Sequence, residues 1–150
     1  MTEETDMERP GGTTRRRTVL CGAVVGLLGA GALAGCGGTT PRRRGGTGTA
    51  TPGTPLIALA ELPVGGGRLV DVDGGGRLLV VRPSEDEARA FDPTCPHAGA
   101  LVGEPGGGVV TCPTHGSQFD AASGELLQGP ARSGLTPIPV RVEDGQVVLA

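Results

Sequence analysis

The sequence predicts an all-β domain of small antiparallel sheets that follows an N-terminal export segment. Glycine and proline supply 29 and 13 of the 150 residues, which is too many for a helical bundle. Short alternating apolar runs recur between glycine-rich turns, as strands do in small β folds. Beyond the N-terminal apolar run, no window of the chain carries the 3.6-residue apolar period of a helix.

Residues 1–36 contain the three parts of an export signal. Three arginines, residues 15–17, precede an apolar run that contains several glycines. This run is shorter than the roughly 20 apolar residues that a spanning helix needs. Residues 16–20 resemble a twin-arginine signal, and residues 33–36 resemble the lipobox of bacterial lipoproteins. We expect an exported protein anchored to the outer face of the cell membrane, through lipidated Cys36 or through an uncleaved N-terminal segment.

Residues 37–55 consist mainly of Gly, Thr, Pro and Arg and show no apolar periodicity. This composition predicts a flexible linker. The folded domain is therefore expected to occupy residues 56–150.

Within this domain, two hairpins are the clearest local signals. The run 67–82 is divided by Asp73 and three glycines, and near the C-terminus Asp144-Gly145 separates two alternating runs. Apolar runs around residue 59 and at 89–93 predict further short strands. Residues 95–131 are then an insertion between the two groups of strands.

Composition also limits the partners. The formal net charge is −3 and every basic side chain is arginine, so the sequence offers no basic face that could neutralise a nucleic-acid backbone. Phe91 and Phe119 are the only aromatic side chains apart from histidine. The core is therefore thin, and a bound metal group would help to stabilise it.

Both histidines of the chain lie close to cysteines, as Cys95-Pro-His97 and Cys112-Pro-Thr-His115. Two classes of site compete for these four side chains: an iron–sulfur electron carrier and a structural zinc module. Zinc sites of the Cys2His2 kind normally pair Cys with Cys and His with His. Mixed pairs suit a centre in which two metal atoms have different ligands, as in a 2Fe-2S cluster bound by two thiolates and two imidazoles.

The stretches "CPHAG" and "CPTHGSQFD", followed by "GELLQGPA", resemble the cluster-binding loops of the Rieske 2Fe-2S iron-sulfur proteins. The resemblance extends over about residues 56–150 and is closest over 92–131. It implies a Rieske-like fold with an inserted cluster-binding subdomain, one 2Fe-2S cluster per chain, and one-electron transfer.

The resemblance also implies roles for single residues. Cys95 and Cys112 would bind the inner iron, and His97 and His115 the outer one. Ser117 would donate a hydrogen bond to a bridging sulfur of the cluster. Residues 129–131, Gly-Pro-Ala, would form a third loop that covers the cluster.

Three positions depart from the quinol-oxidising members of this family. Ala100 and Thr114 stand where those relatives have a disulfide pair, and Phe119 stands where they have a tyrosine. These departures favour an anchored electron carrier over the iron–sulfur subunit of a quinol:cytochrome c oxidoreductase (cytochrome bc complex). We expect an electron-transfer component of an oxidoreductase rather than an enzyme on its own, with a redox partner protein and quinol as a candidate donor.

Overall fold

A computed structural model of the protein describes residues 44–150, so the predicted export signal, Cys36 and the beginning of the linker lie outside the described residues. This part of the chain forms eleven strands and no α-helix. The strands are β1 (Arg44–Gly45), β2 (Pro55–Ala58), β3 (Gly66–Val72), β4 (Gly76–Ser84), β5 (Glu87–Phe91), β6 (Val109–Thr111), β7 (Gln118–Asp120), β8 (Leu126–Gln128), β9 (Pro137–Ile138), β10 (Val140–Glu143) and β11 (Gln146–Leu149). Across residues 44–150, no helix is long and apolar enough to cross a membrane.

The strands form three small sheets. The largest has the order β1-β4-β5-β9, with β3 paired antiparallel to β4; the second is β10-β11-β2 and the third β6-β7-β8. The third sheet lies in sequence between β5 and β9 of the first. The predicted all-β class, the division into several sheets and the inserted segment are confirmed.

Both predicted hairpins are present. β3 and β4 pair along their length from Gly66↔Arg82 to Val72↔Gly76, around a turn in which Gly74 has φ 75°. The C-terminal hairpin turns at Asp144 and Gly145, with φ 49° and 73°. These positive φ values explain why the sequence has Gly and Asp at the turns.

Strand β4 has apolar residues on both faces, because a layer packs on each side of it. Leu78 and Val80 face a core that includes Val147 of the second sheet. Leu79 and Val81 face a second core. That second core contains Phe91, Cys95, Val102, Val110, Cys112, Phe119, Ala121, Ala131 and Leu135. The candidate site therefore sits directly on one face of the main sheet.

The predicted strand around residue 59 is interrupted. β2 ends at Ala58 and a single 3₁₀ turn follows at Leu59–Glu61. The tight turn brings Leu59 and Leu62 to the same side, and both are buried in the core. The Arg82 guanidinium donates to the backbone oxygens of these two residues at 3.2 and 3.0 Å. It thus supplies a hydrogen bond to carbonyls that do not pair with a neighbouring strand.

Residues 44–54 differ from the expected flexible linker, because they are hydrogen-bonded to the domain. β1 runs parallel to the start of β4. Further along, the N–H groups of Gly46, Thr49 and Gly53 donate to the oxygens of Arg77, Asp73 and Leu149 at 2.9, 2.9 and 2.8 Å. An ideal Cβ on Gly76 would lie only 2.5 Å from the Gly46 oxygen. The glycines that suggest flexibility in the sequence instead allow close packing of two backbones.

Candidate functional site

Two short loops carry the Cys and His pairs, and their backbones are built alike. The first loop is residues 95–100 and the second is residues 112–117. In each, the Cys N–H donates to the backbone oxygen of the residue five positions later. The distances are 2.7 Å to the oxygen of Ala100 and 2.8 Å to that of Ser117. The Cys oxygen then accepts from the glycine four positions later, Gly99 or Gly116, at 2.9 and 3.0 Å. Proline follows each Cys.

The two glycines are required by this geometry. Gly99 and Gly116 have φ 73° and 72°, a left-handed conformation that other residues rarely adopt. The turn reverses the chain within six residues and leaves each thiol inside and each imidazole outside. The repeated "C-P-…-G" pattern therefore reflects a repeated loop geometry.

The four predicted ligand side chains form a buried pair and an exposed pair. Cys95 and Cys112 are 1% and 2% exposed, belong to the core and are not in a disulfide. His97 and His115 lie at the surface with their Nδ1 atoms 3.1 Å apart. Their rings meet edge to face, with centroids 4.6 Å apart and planes at 78°. The structure thus brings thiol next to thiol and imidazole next to imidazole, from two separate loops.

The environment of Cys112 favours the thiolate, which is the form that binds metals. Burial raises the pKa of this thiol. Hydrogen bonds from the Thr114 backbone, the Cys95 side chain, the His115 backbone and the Thr114 side chain act in the opposite direction, and the net pKa lies below the ordinary cysteine value. A negative sulfur at Cys112 is therefore stabilised by donors of its own loop and of the first loop.

Ser117 links the second loop to the third. Its side chain is fully buried, and its Oγ accepts a hydrogen bond from the Ala131 N–H at 3.1 Å. Gly129, with φ 106°, packs so closely that an ideal Cβ would be 2.5 Å from the Ser117 Cα. Because Oγ is the acceptor in this bond, the hydroxyl hydrogen of Ser117 remains available for donation. The third loop thus lies against the loop that carries Cys112 and His115.

The remaining predicted positions surround these loops. Ala100 is partly buried and packs against the core, Thr114 is exposed, and Phe119 is fully buried in the core beneath the loops. Phenylalanine has no hydroxyl group, so the Phe119 side chain contributes packing but no hydrogen bond.

The donor set fits a centre with two metal atoms better than a single-ion site. A structural zinc ion needs four ligands around one point. A buried thiol pair beside an exposed imidazole pair matches a 2Fe-2S cluster in which one iron takes thiolates and the other takes imidazoles.

The two loops differ in the backbone pairing that joins their ends. The residues that support the first loop were not predicted from the sequence. The second loop closes the β6–β7 ladder, whose last pair is Thr111↔Gln118. The first loop closes only on an isolated bridge, Thr94↔Leu101. There the Asp92 Oδ1 accepts the Thr94 N–H at 2.8 Å. No motif marks Asp92 or Thr94 in the sequence, since Asp-Pro-Thr is an ordinary turn composition.

Comparison with known proteins points to one family. The model of the Rieske [2Fe-2S] domain matches residues 54–139. The chain is 31% identical over 122 residues to the cytochrome b6-f complex iron-sulfur subunit of Prochlorococcus marinus (strain NATL1A), covering 74% of this chain and 68% of that protein. It is 30% identical over 95 residues to the ferredoxin component of the naphthalene 1,2-dioxygenase system of Pseudomonas aeruginosa, covering 62% of this chain and 89% of that one.

Solved structures give the same answer for the fold. A ferredoxin of Sphingomonas yanoikuyae B1 superposes with a TM-score of 0.55 at 28% identity, over 65% of this chain and 96% of that one. The cyanobacterial plasma membrane Rieske protein PetC3 of Synechocystis PCC 6803 superposes with a TM-score of 0.54 at 27% identity, over 67% and 99% of the two chains. Both similarities cover nearly the whole of the compared protein.

Proposed function

Because this chain belongs to the Rieske [2Fe-2S] domain family and is an electron carrier with that cluster, we propose that it works as an anchored one-electron carrier at the outer face of the cytoplasmic membrane. The observation that carries the proposal is the buried thiol pair beneath an exposed imidazole pair. When bound, the cluster takes up and releases one electron at a time. The chain supplies an insulated inner side and an outer side that a partner can approach.

We assign the ligands as the family resemblance implies them. Cys95 and Cys112 would hold the inner iron, where burial of both side chains keeps water away. His97 and His115 would hold the outer iron from the surface of the domain. The exposed imidazoles are then the shortest route between the metal centre and a redox partner protein.

The membrane part of the proposal is supported by the sequence alone. The twin-arginine-like motif at residues 16–20 suits a domain that is exported after its cluster has been inserted, since that route carries folded proteins. The lipobox-like residues 33–36 provide Cys36 as the lipidation site. An anchored head can meet a membrane-bound redox partner, with quinol as a candidate electron donor.

A second function is favoured by the similarity to a cytochrome b6-f subunit. As the iron–sulfur subunit of a quinol-oxidising complex, the protein would copurify with a cytochrome b from detergent-solubilised membranes. As an anchored carrier it would be isolated without one. Ala100 and Thr114, in place of a disulfide that would join the two loops, favour the carrier.

Electron paramagnetic resonance of the reduced wild-type protein tests the centre itself. We expect the signal of a reduced 2Fe-2S cluster with nitrogen hyperfine coupling from two imidazoles. A protein that contains zinc and gives no such signal would contradict the 2Fe-2S assignment and support the structural zinc module.

The replacement Cys36→Ser tests the anchor. We expect the protein to move from the membrane fraction to the soluble fraction and to keep its full iron content, because Cys36 is not among the proposed ligands. Fractionation with iron analysis measures both. Continued membrane association of Cys36→Ser would show that an uncleaved N-terminal segment, and not a lipid, holds the protein.

The replacement Ser117→Ala should lower the reduction potential. A hydroxyl that donates to a cluster sulfur stabilises the more negative, reduced form. If the bond favours the reduced form by about 1.4 kcal/mol, the potential falls by roughly 60 mV for a one-electron couple. Protein-film voltammetry measures the shift, with the exposed Ser133→Ala as control. Equal potentials in Ser117→Ala and wild type would remove Ser117 from the set of tuning residues.

A further inference from the structure

Residues 44–49, here called the strap, lie against the domain where the sequence suggests only a tether. The strap pairs with β4 at Arg44↔Gly76 and Gly45↔Arg77. Its far end is fixed by the Thr49 N–H, which donates to the Asp73 oxygen at 2.9 Å. Two ends held by backbone hydrogen bonds give the strap a defined path across the start of β4.

Along this path, Gly45 contacts the two residues that support the first loop. An ideal Cβ on Gly45 would collide with the Oδ1 of Asp92 and the Oγ1 of Thr94, and would lie 3.0 Å from the Asp92 Cγ. The φ of Gly45 is not in the left-handed region. A larger residue at position 45 would therefore have to displace the side chains of Asp92 and Thr94, although the backbone conformation itself would not exclude it.

The contact of Gly45 with Asp92 and Thr94 lies next to the proposed ligand Cys95. Asp92 Oδ1, which faces Gly45, is the atom that accepts the Thr94 N–H at 2.8 Å. Thr94 forms the single bridge that closes the first loop, and the next residue is Cys95. The second loop has a three-pair ladder at the same place. The first loop therefore has a shorter ladder at its base than the second, and Asp92, Thr94 and the strap add to the support that it receives from the backbone bonds of Pro93 and Gly103.

We infer that the strap is part of the metal site: Gly45 is a positioning residue that, through Asp92 and Thr94, fixes the first loop and hence Cys95 and His97. The inference rests on the proposed ligand role of Cys95. It gives the glycine-rich segment after the predicted anchor a second task beyond spacing. The absence of a disulfide between the loops makes this support more important, since Ala100 and Thr114 cannot tie the first loop to the second.

The replacement Gly45→Ala tests the inference in the full-length, cluster-loaded protein. The new methyl group displaces Asp92 Oδ1, so we expect a changed electron paramagnetic resonance line shape and a shifted reduction potential. We also expect cluster loss on incubation to be roughly 10-fold faster, the lower end of the effects seen for residues that orient metal ligands. In an Asp92→Ala background the added effect of Gly45→Ala should shrink, because the two changes disrupt the same contact.

Two other Gly→Ala replacements separate positioning from general stability. Gly106→Ala adds a methyl group in open space, so its cluster and melting temperature should equal those of the wild type. At Gly67 a Cβ would lie 2.6 Å from the Val80 oxygen and 2.7 Å from Val81 Cγ1 of β4. Gly67→Ala should therefore lower the melting temperature while changing the resonance line shape and the potential less than Gly45→Ala does.

A second pair of variants keeps the inference testable if Gly45→Ala does not fold. Asp92→Ala removes the acceptor for Thr94 without any collision and should alter the line shape, whereas Asp92→Asn keeps an acceptor oxygen and should restore it. The inference is overturned if Gly45→Ala or Asp92→Ala loses stability like Gly67→Ala but retains the wild-type line shape, potential and rate of cluster loss. Failure of the wild-type protein to bind any cluster would instead refute the proposed function.

Discussion

Replacing Cys112 by Ser should leave the domain without its cluster. A serine hydroxyl is a harder donor than a thiolate and remains protonated at neutral pH, and iron–sulfur clusters select soft thiolate ligands. The affinity for the cluster should fall by more than the roughly 10- to 100-fold that follows removal of a residue that only orients a ligand. Iron and sulfide analysis, with resonance spectroscopy of the reduced protein, measures the effect.

Cys112 suits this replacement because backbone and side-chain hydrogen bonds surround its sulfur. Backbone donors from Thr114 and His115 and the side chain of Cys95 lower the pKa of this thiol against the effect of burial. A neutral hydroxyl gains little from these donors. Because cluster binding contributes to folding free energy, we also expect a lower melting temperature.

Two further variants complete the test. Cys36→Ser makes the same chemical change outside the proposed site and should retain all of its iron. His115→Ala truncates an exposed side chain, so it should remove the cluster without opening a cavity in the core. A folded Cys112→Ser protein with wild-type iron content and an unchanged resonance signal would refute the ligand assignment.

The parts of the fold that sequence predicts well are those with local causes. Asp144-Gly145 and the glycines after Asp73 specify tight turns by their φ angles, and both hairpins are found there. The Cys and His pairs are equally local, because each six-residue loop is closed by its own backbone hydrogen bonds. A short motif therefore carries most of the information about the candidate site.

The parts that were missed depend on contacts between distant segments. The composition of residues 44–54 is that of a linker, and hydrogen bonds to the backbones of β4, Asp73 and Leu149 give this segment a defined path. The 3₁₀ turn at Leu59–Glu61 likewise depends on Arg82, more than 20 residues away. One signal was present: "LLVV" in β4 is apolar without alternation, as expected for a strand covered on both faces.

These long-range contacts also connect the site to the fold. The core under the loops contains both thiols, Ala131 of the third loop and Phe119 of β7. A single packed unit therefore supports all three loops from beneath. Its central aromatic side chain should matter for cluster retention as well as for stability.

Replacing Phe119 by Ala should be among the most destabilising single core truncations in this domain. Phe119 is fully buried, pairs with Val110 across the β6–β7 ladder, and is one of only two phenylalanines in the chain. Truncation of a buried phenylalanine costs about 3–5 kcal/mol, against a total of about 5–15 kcal/mol for a typical domain. For a domain of this size, we expect the melting temperature to fall by roughly 12 °C or more.

Calorimetry of three variants separates the cavity from the loss of apolar surface alone. Phe119→Leu fills most of the same space and should cost less than Phe119→Ala, because the cavity that it leaves is smaller. Leu127→Ala removes a side chain that is 54% exposed and should stay within about 0.5 kcal/mol of the wild type. Because the cavity in Phe119→Ala opens beneath Cys95 and Cys112, cluster loss should accelerate only in that variant. Equal melting temperatures for Phe119→Ala and Leu127→Ala would show that the three loops are held by the cluster and not by the core under them.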